Sequence, residues 1–517
     1  MDPGTGGKGS VPSAGCRPGM VGVIDIGSNS LRLVLYDQIG RAPKLLFNEK
    51  VMCALGRGLN SSGRLNPEGL APALDNVERF VLLSRQLGVA RLDLLATSAV
   101  RDAEDGGEFV AEIERRCGVR VSVIDGAREA RLSASGVRAG IPEARGITGD
   151  LGGGSVELAM TGPEPSDFVA SLPIGPLRLI EGSGDDTRPR AIVDQAVASL
   201  SWLDRARGQP FYAVGGTWRA LARIHMEQTG YPLHVIQNYQ VAGSAAQSFF
   251  EFISRQSRRS LEKISGISRK RLETVPLAAY VLYRLIHTIE PAELVFSALG
   301  LREGHLFELL SPQEQRQDPL LAACRQMAEA DPRFAVGGEE LVDWSDPLFA
   351  DETPAQSRLR RAAGVLSDIG WAEHPDYRDE QVFTRCLRMP VPGLDHGGRV
   401  FIAVVLQARY GGESEAAVMA APKRLLDEAE FTRARAIGLA FRLGYTLTGG
   451  VPELIGETSL ALDAAVVTLT IPEHTAIYTG EAVQRRLDAL GRALGRRTVV
   501  KVGEPSATAK NRAGRGG

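Results

Sequence analysis

The sequence predicts an α/β protein of two similar half-domains, followed by a helical region and a small α+β part. Three observations carry this. A strand, the turn Asp25-Ile26-Gly27-Ser28-Asn29-Ser30 and a second strand are matched 125 positions later by a strand, Asp150-Leu151-Gly152-Gly153-Gly154-Ser155 and another strand. Strand-like apolar runs alternate with helix-like segments up to about residue 310, as in sheets covered by helices. From about residue 312 helical periodicity takes over, with Leu359, Ala362, Ala363, Leu366 and Ile369 on one face.

The elements follow in order. Val21-Gly22-Val23-Ile24 and Leu31-Arg32-Leu33-Val34-Leu35 flank the first turn as a β-hairpin. A helix is expected over 67–87, with Pro67 at its entry. A strand over 92–97 leads into Ser98-Ala99-Val100-Arg101, and after another helix a strand over 120–124 leads into Asp125-Gly126-Ala127-Arg128-Glu129 and a further helix. The second hairpin joins Gly146-Ile147-Thr148 to Val156-Glu157-Leu158-Ala159. Phe211-Tyr212-Ala213-Val214 reads as a strand entering Gly215-Gly216-Thr217, which opens a helix over 218–224. A last strand over 293–297 meets Gly300-Leu301-Arg302-Glu303-Gly304. Near the end, a β-rich run over 460–471, a helix over 482–494 and a strand over 498–502 make the α+β part.

Composition bounds the function. The 517 residues exceed one core, so several domains are expected. A net charge of −2 argues against a nucleic-acid or membrane role for the whole chain. Five scattered cysteines without a Cys-x-x-Cys pair suit a reducing cytoplasm. Residues 1–19 and 505–517 are of low-complexity composition and are expected to be disordered tails. The run Arg255, Arg258, Arg259, Lys263, Arg269, Lys270 and Arg271 is a solvated face or a contact for a polyanion.

The two turns point to phosphate chemistry. Asp25 and Asp150 each head a turn that exposes backbone N–H groups. Such a turn can cradle phosphate oxygens while the carboxylate holds a hard cation such as Mg²⁺. Either Asp could instead cap its own turn; the repeat favours the first reading. Ser28, Asn29, Ser30 and Gly152, Gly153, Gly154, Ser155 would cradle phosphate from two sides, and three consecutive glycines weaken a hairpin that needed only to turn. Gly215, Gly216 and Thr217 at a helix start form a further anion site that carries little alone. Arg101 can fork onto phosphate or sit in a surface ion pair. Glu129, in a first helical turn, is ordinarily a partner of the helix dipole. Glu157 alternates with Ser155 on its strand and faces either the site or solvent.

Six blocks in order then resemble one family. They are Asp25 to Ser30, Ala96-Thr97-Ser98-Ala99-Val100-Arg101, Ile124 to Leu132, Gly149 to Glu157, Val214-Gly215-Gly216-Thr217 and Gly300 to Gly304. Together they are similar to the exopolyphosphatase / guanosine pentaphosphate phosphohydrolase (Ppx/GppA) family of the actin, sugar-kinase and heat-shock-ATPase superfamily. The resemblance implies actin-like (ribonuclease H-like) half-domains at 20–140 and 141–311. It also implies a helical HD-like domain at 312–450 and a small α+β domain at 451–504. Ser367 stands where an HD domain has its metal-binding His, so this part is expected to supply binding surface rather than metal chemistry.

The implied activity is hydrolysis of the terminal phosphoanhydride of inorganic polyphosphate with Mg²⁺ or another divalent cation. Guanosine pentaphosphate is the alternative substrate, and a non-enzymatic sensor of guanosine tetra- or pentaphosphate is a third reading. A kinase of the same superfamily would need an adenosine pocket and an acceptor site, which the sequence does not offer. The family's proposed general base falls at Glu129, and Glu157, by its strand position, could share that task. With the turn readings above, Asp25 and Asp150 are expected to position the metal, and Ser28 to Ser30, Arg101, Gly152 to Ser155 and Gly215 to Thr217 to bind phosphate. A cytoplasmic homodimer without nucleic-acid or membrane partners is the expected setting.

Overall fold

The computed structural model describes residues 19–180, 187–262, 272–330, 338–413, 416–473 and 480–503. The expected tails, except Gly19, and Lys263, Arg269, Lys270 and Arg271 of the basic run lie outside these residues. The chain forms two compact units, one reaching to Thr229 and taking up Ile236–Gln317, the other comprising Gly230–Val235 and the rest.

In unit 1 the first sheet has the order β3-β2-β1-β4-β5. Its strands are β1 (Val21–Ile26), β2 (Ser30–Tyr36), β3 (Leu45–Met52), β4 (Arg91–Ala96) and β5 (Val121–Val123). β1 pairs antiparallel with β2 and parallel with β4. α1 (Pro67–Gln86), capped by the Asn66 side chain, α2 (Ser98–Asp102) and α3 (Gly106–Cys117) connect them. β3 goes beyond the expected strands: it is an edge strand whose polar Asn48, Glu49 and Lys50 blunt further pairing.

The second sheet repeats this plan. Its strands are β6 (Gly146–Leu151), β7 (Val156–Thr161), β8 (Val169–Leu172), β9 (Phe211–Val214), β10 (Tyr239–Ala242) and β11 (Glu293–Phe296), in the order β10-β11-β9-β6-β7-β8. Thus β8-β7-β6-β9-β11 corresponds to β3-β2-β1-β4-β5, with β10 added at the edge. Its helices include α4 (Gly126–Gly140), α5 (Gly216–Thr229), α6 (Gly243–Ser254), α7 (Val275–Ile289) and α8 (Leu301–Glu308). Helix α5 is longer at both ends than the expected 218–224, starting at the second glycine of the Gly215-Gly216 pair and running on to Thr229. Phe80, Phe211, Trp218 and Phe296 are wholly buried, each worth roughly 1.5–3 kcal/mol of hydrophobic stabilisation. This is the α/β, actin-like architecture expected.

Two packing details position the chemistry. Helices α4 and α8 cross so closely that a Cβ on Gly136 would stand 2.1 Å from the Gly300 carbonyl, and one on Gly304 would stand 1.8 Å from that of Leu132. Only glycine permits that approach. The hairpin registers set Asp25 opposite Arg32 and Asp150 opposite Glu157. The repeat therefore carries an arginine in one half where the other carries a glutamate.

Unit 2 is mainly helical. It includes α9 (Pro354–Val365), α10 (Arg378–Arg388), α11 (His396–Tyr410), α12 (Glu428–Thr448) and α13 (Glu481–Leu494). Its sheet, in the order β12-β13-β14, has β12 (Ser459–Leu462), β13 (Val466–Ile471) and β14 (Arg497–Val502). Helix α9 ends at Val365, so Ile369 lies past the helix on which the periodicity placed it. Ser367 is buried and its hydroxyl meets the Tyr445 hydroxyl at 3.1 Å. Cys53, Cys117, Cys324 and Cys386 are free, buried thiols. No described helix is long and apolar enough to cross a membrane.

Candidate active site

The two turns face each other across unit 1. Each is closed by the same backbone bond, Gly27 N–H to Ser30 C=O at 3.1 Å and Gly152 N–H to Ser155 C=O at 3.0 Å. The Ser28 hydroxyl meets the Ser98 hydroxyl at 2.9 Å. Gly154 lies against both, since an added Cβ would stand 3.3 and 3.4 Å from their oxygens. A cleft opens here, lined by Ser28, Gly56, Asn60, Ser98, Gly154 and Arg178. Asn29 acts through its main chain, its carbonyl accepting from the Cys53 and Ala54 N–H groups. Ser30 starts β2, and Thr217 lies in the first turn of α5. Gly175 N–H donates to Gly154 C=O at 3.1 Å and Leu177 N–H to Gly153 C=O at 3.0 Å, so a segment outside the motifs holds the glycine turn in place.

Four carboxylates gather behind these turns. Asp25 accepts from Arg302 at 3.0 Å. Asp150 accepts from the Ser133 hydroxyl at 2.5 Å. It also lies against Gly215, which has a φ of +109° and where a Cβ would stand 3.2 Å from Oδ1. Glu129 accepts from Arg101 at 3.2 Å, and Arg101 also donates to the Ile124 carbonyl at 3.1 Å. Glu157 is almost fully buried and accepts from Ser171 at 2.9 Å. Its inward aspect decides against a solvent-facing strand residue. Glu129 is also buried, which a mere partner of the helix dipole need not be.

Burial and mutual repulsion raise three of these groups. Burial pushes Glu129 well above the ordinary carboxylate range, helped by the charges of Glu157 and Asp150 and opposed by Arg101. Burial, chiefly, raises Glu157 to about 7. Asp150 is raised by burial, against its Ser133 bond and the charge of Arg219. Of the three, Glu157 is poised near neutrality, which suits a group that takes a proton from water.

The sign of the linkage is testable. Glu has an unfolded value of about 4.3, and Glu157 in the fold titrates at about 7. Its proton therefore contributes stability that is fully present below about 4.3 and is lost as pH rises through about 7. Glu157→Gln cannot ionise, so its melting temperature should fall less than that of the wild type between about pH 5 and about pH 8. Equal falls would place the Glu157 titration elsewhere.

Sequence reasoning missed several participants. Arg302 supplies the ion pair to Asp25; it sits beside Glu303, which Tyr36 and the Gly300 N–H anchor at 2.8 and 3.0 Å. Arg219 bonds the carbonyls of Gly215 and Ala298, and burial, with the charges of Arg302 and Arg32, pushes it down to about 10. Ser133, Ser98 and Gly175 complete the set. The Gly300-Leu301-Arg302-Glu303-Gly304 block was the available signal for Arg302, and the Ala96 to Arg101 block for Ser98; Arg219, Ser133 and Gly175 lie outside the blocks.

Among the described residues no group of three or more His, Cys, Asp or Glu is arranged to hold a metal ion. A hard cation that keeps waters and phosphate oxygens needs only one or two carboxylates. Asp25 and Asp150 fit that requirement, each having one oxygen committed to a protein donor.

The model of the Ppx/GppA phosphatase family matches residues 23–313, more than half of the chain. The chain belongs to the Ppx/GppA phosphatase family, a family of hydrolases. A second model, the C-terminal domain of exopolyphosphatase, matches residues 320–500. Exopolyphosphatase 1 of Mycobacterium tuberculosis is 27% identical over 310 residues, which cover 57% of this chain and 89% of that protein. The guanosine-5'-triphosphate,3'-diphosphate pyrophosphatase of Aeromonas salmonicida is 24% identical over 364 residues, or 67% of this chain and 72% of that one. The crystal structure of an exopolyphosphatase from Cytophaga hutchinsonii, 25% identical, superposes with a TM-score of 0.51 and covers 56% of this chain and 97% of that one.

Proposed function

We propose that this phosphatase removes the terminal phosphate of inorganic polyphosphate. The observation that carries the reading is the buried pair Glu129 and Glu157, both raised above the ordinary carboxylate range, beside a glycine turn that can take phosphate oxygens. The Ser28 to Ser30 and Gly152 to Ser155 turns hold the terminal phosphoryl group from two sides, and Arg101 faces its oxygens from Glu129. Glu129 takes a proton from a water whose oxygen attacks the terminal phosphorus. The bond from that phosphorus to the bridging oxygen breaks, and the shortened chain leaves with the electron pair. Glu157 fixes the water and shares the proton. A divalent cation at Asp25 and Asp150 would neutralise charge on the phosphate oxygens.

Cation removal should stop turnover, and Mg²⁺ should restore it. Asp150→Asn should need a higher Mg²⁺ concentration for half-maximal rate than the wild type. An unchanged Mg²⁺ dependence would take Asp150 out of cation binding. The reading itself is tested by the product: end-labelled polyphosphate should yield labelled orthophosphate and a chain shorter by one unit. Internal fragments at early times would contradict it. The Aeromonas relative supports guanosine pentaphosphate as the second reading, because that substrate also ends in a phosphoanhydride.

A further inference from the structure

Unit 2 carries a group of guanidiniums that the phosphohydrolase reading does not use. Arg409, at the end of α11, is buried. Its guanidinium lies over the rings of Tyr445 and Tyr410, 3.6 and 4.1 Å from their centroids, and donates to Asp368 at 3.1 Å. Its Nε is buried with no hydrogen-bond partner among the described residues. Arg442 of α12 lies across Gly411, where an added Cβ would stand 2.2–2.5 Å from its Nη2, Cζ and Nη1 atoms. Arg486 of α13 lies close by: burial first, then the charges of Arg486 and Arg409, push Arg442 down to about 10, with Asp379 opposing.

Among the described residues neither Arg442 nor Arg486 has an ion pair or a side-chain hydrogen bond. The carbonyl end of α11 offsets part of the charge. It does not explain why three like charges converge with so few acids to neutralise them, since like charges in a half-buried place repel. Convergent guanidinium forks, one of them held rigid between two rings, suit a planar or tetrahedral oxyanion.

We propose that Arg442 and Arg486, backed by Arg409, form a second anion site, within unit 2, for a multiply charged phosphate oxyanion. The oxyanion is either free orthophosphate or a phosphoryl group of a longer chain or nucleotide. The site stands whether or not Glu129 and Glu157 activate water.

Hydrogen exchange followed by mass spectrometry on the full chain tests this, with orthophosphate, tripolyphosphate and GTP as separate probes. At least one probe should slow exchange in segments 405–413 and 438–448. In the double variant Arg442→Gln/Arg486→Gln that slowing should need an about tenfold or higher concentration, while slowing at the turns around 25–30 and 150–155 is unchanged. Saturation by orthophosphate marks a free-ion site; a response to tripolyphosphate or GTP alone marks a phosphoryl-chain site. Without ligand, Arg442→Gln should melt no lower than the wild type, because it removes repulsion. The proposal is overturned if no probe slows these segments or if the double variant responds as the wild type does. It also fails if Arg442→Gln melts several degrees lower or does not fold, since Arg442 would then be structural.

Discussion

Glu129→Gln is expected to lose most turnover while still binding polyphosphate. The amide is nearly isosteric and can keep its contact with Arg101, now 3.2 Å from the carboxylate. It cannot take a proton from water at neutral pH, and loss of a general base costs on the order of 10²–10⁴-fold in rate. Binding should hold or tighten, because the phosphate contacts come from the two turns and one negative charge is removed beside a polyanion. Measured at saturating Mg²⁺, a kcat within about threefold of the wild type, far short of the general-base range, would leave Glu157 as the base. The two residues differ in surroundings. Glu129 is tied to a guanidinium and Glu157 to a hydroxyl.

Gly175→Ala is expected to be nearly as damaging, though Gly175 is no part of any motif. A Cβ there would stand 2.4 Å from the Gly153 carbonyl oxygen, the Gly154 carbonyl carbon and the Ser155 nitrogen. All three are backbone atoms of the turn that receives phosphate, so the turn or the 175–177 segment must move. Misplacing a binding group by about 1 Å can cost roughly 10²-fold in rate. The expected result is a loss of that order in kcat/KM with a folded chain, read against the melting temperature and circular dichroism. Near-wild-type kcat/KM in a folded Gly175→Ala would show that the glycine turn does not need its present position.

What the sequence shows and what it hides follow from distance along the chain. Asp25 and Asp150 are legible because each lies within its own hairpin, and a hairpin declares itself by local turn chemistry. Glu157 is suggested by strand alternation from Ser155, but β7 is buried on both faces, Val156 and Leu158 as fully as Glu157, so the alternation alone does not single it out. Glu129 is different: its helical position suggests a dipole partner, and only the resemblance marks it as a base. Arg302 lies 277 residues from the Asp25 it pairs with. Nothing at either place announces the pairing, because only the fold brings the start of α8 to the end of β1. Ser133, only 17 residues from Asp150, and Arg219 and Gly175 are hidden for another reason: a single Ser, Arg or Gly there makes no pattern of its own. Of the edge strands, β3 escapes because the consecutive polar residues Asn48, Glu49 and Lys50 interrupt its apolar run, and β10 because its four residues are too short a stretch to stand out, although they do alternate. The end of α9 escapes because apolar spacing continues through Leu366 and Ile369 after the backbone has left the helix.

Orthophosphate release by the wild-type chain, from long polyphosphate and from guanosine pentaphosphate in parallel, with and without Mg²⁺, tests the central claim most directly. The account predicts rapid, Mg²⁺-dependent release from polyphosphate and slower release from the nucleotide. No release from either substrate, or release from guanosine pentaphosphate alone, would contradict it.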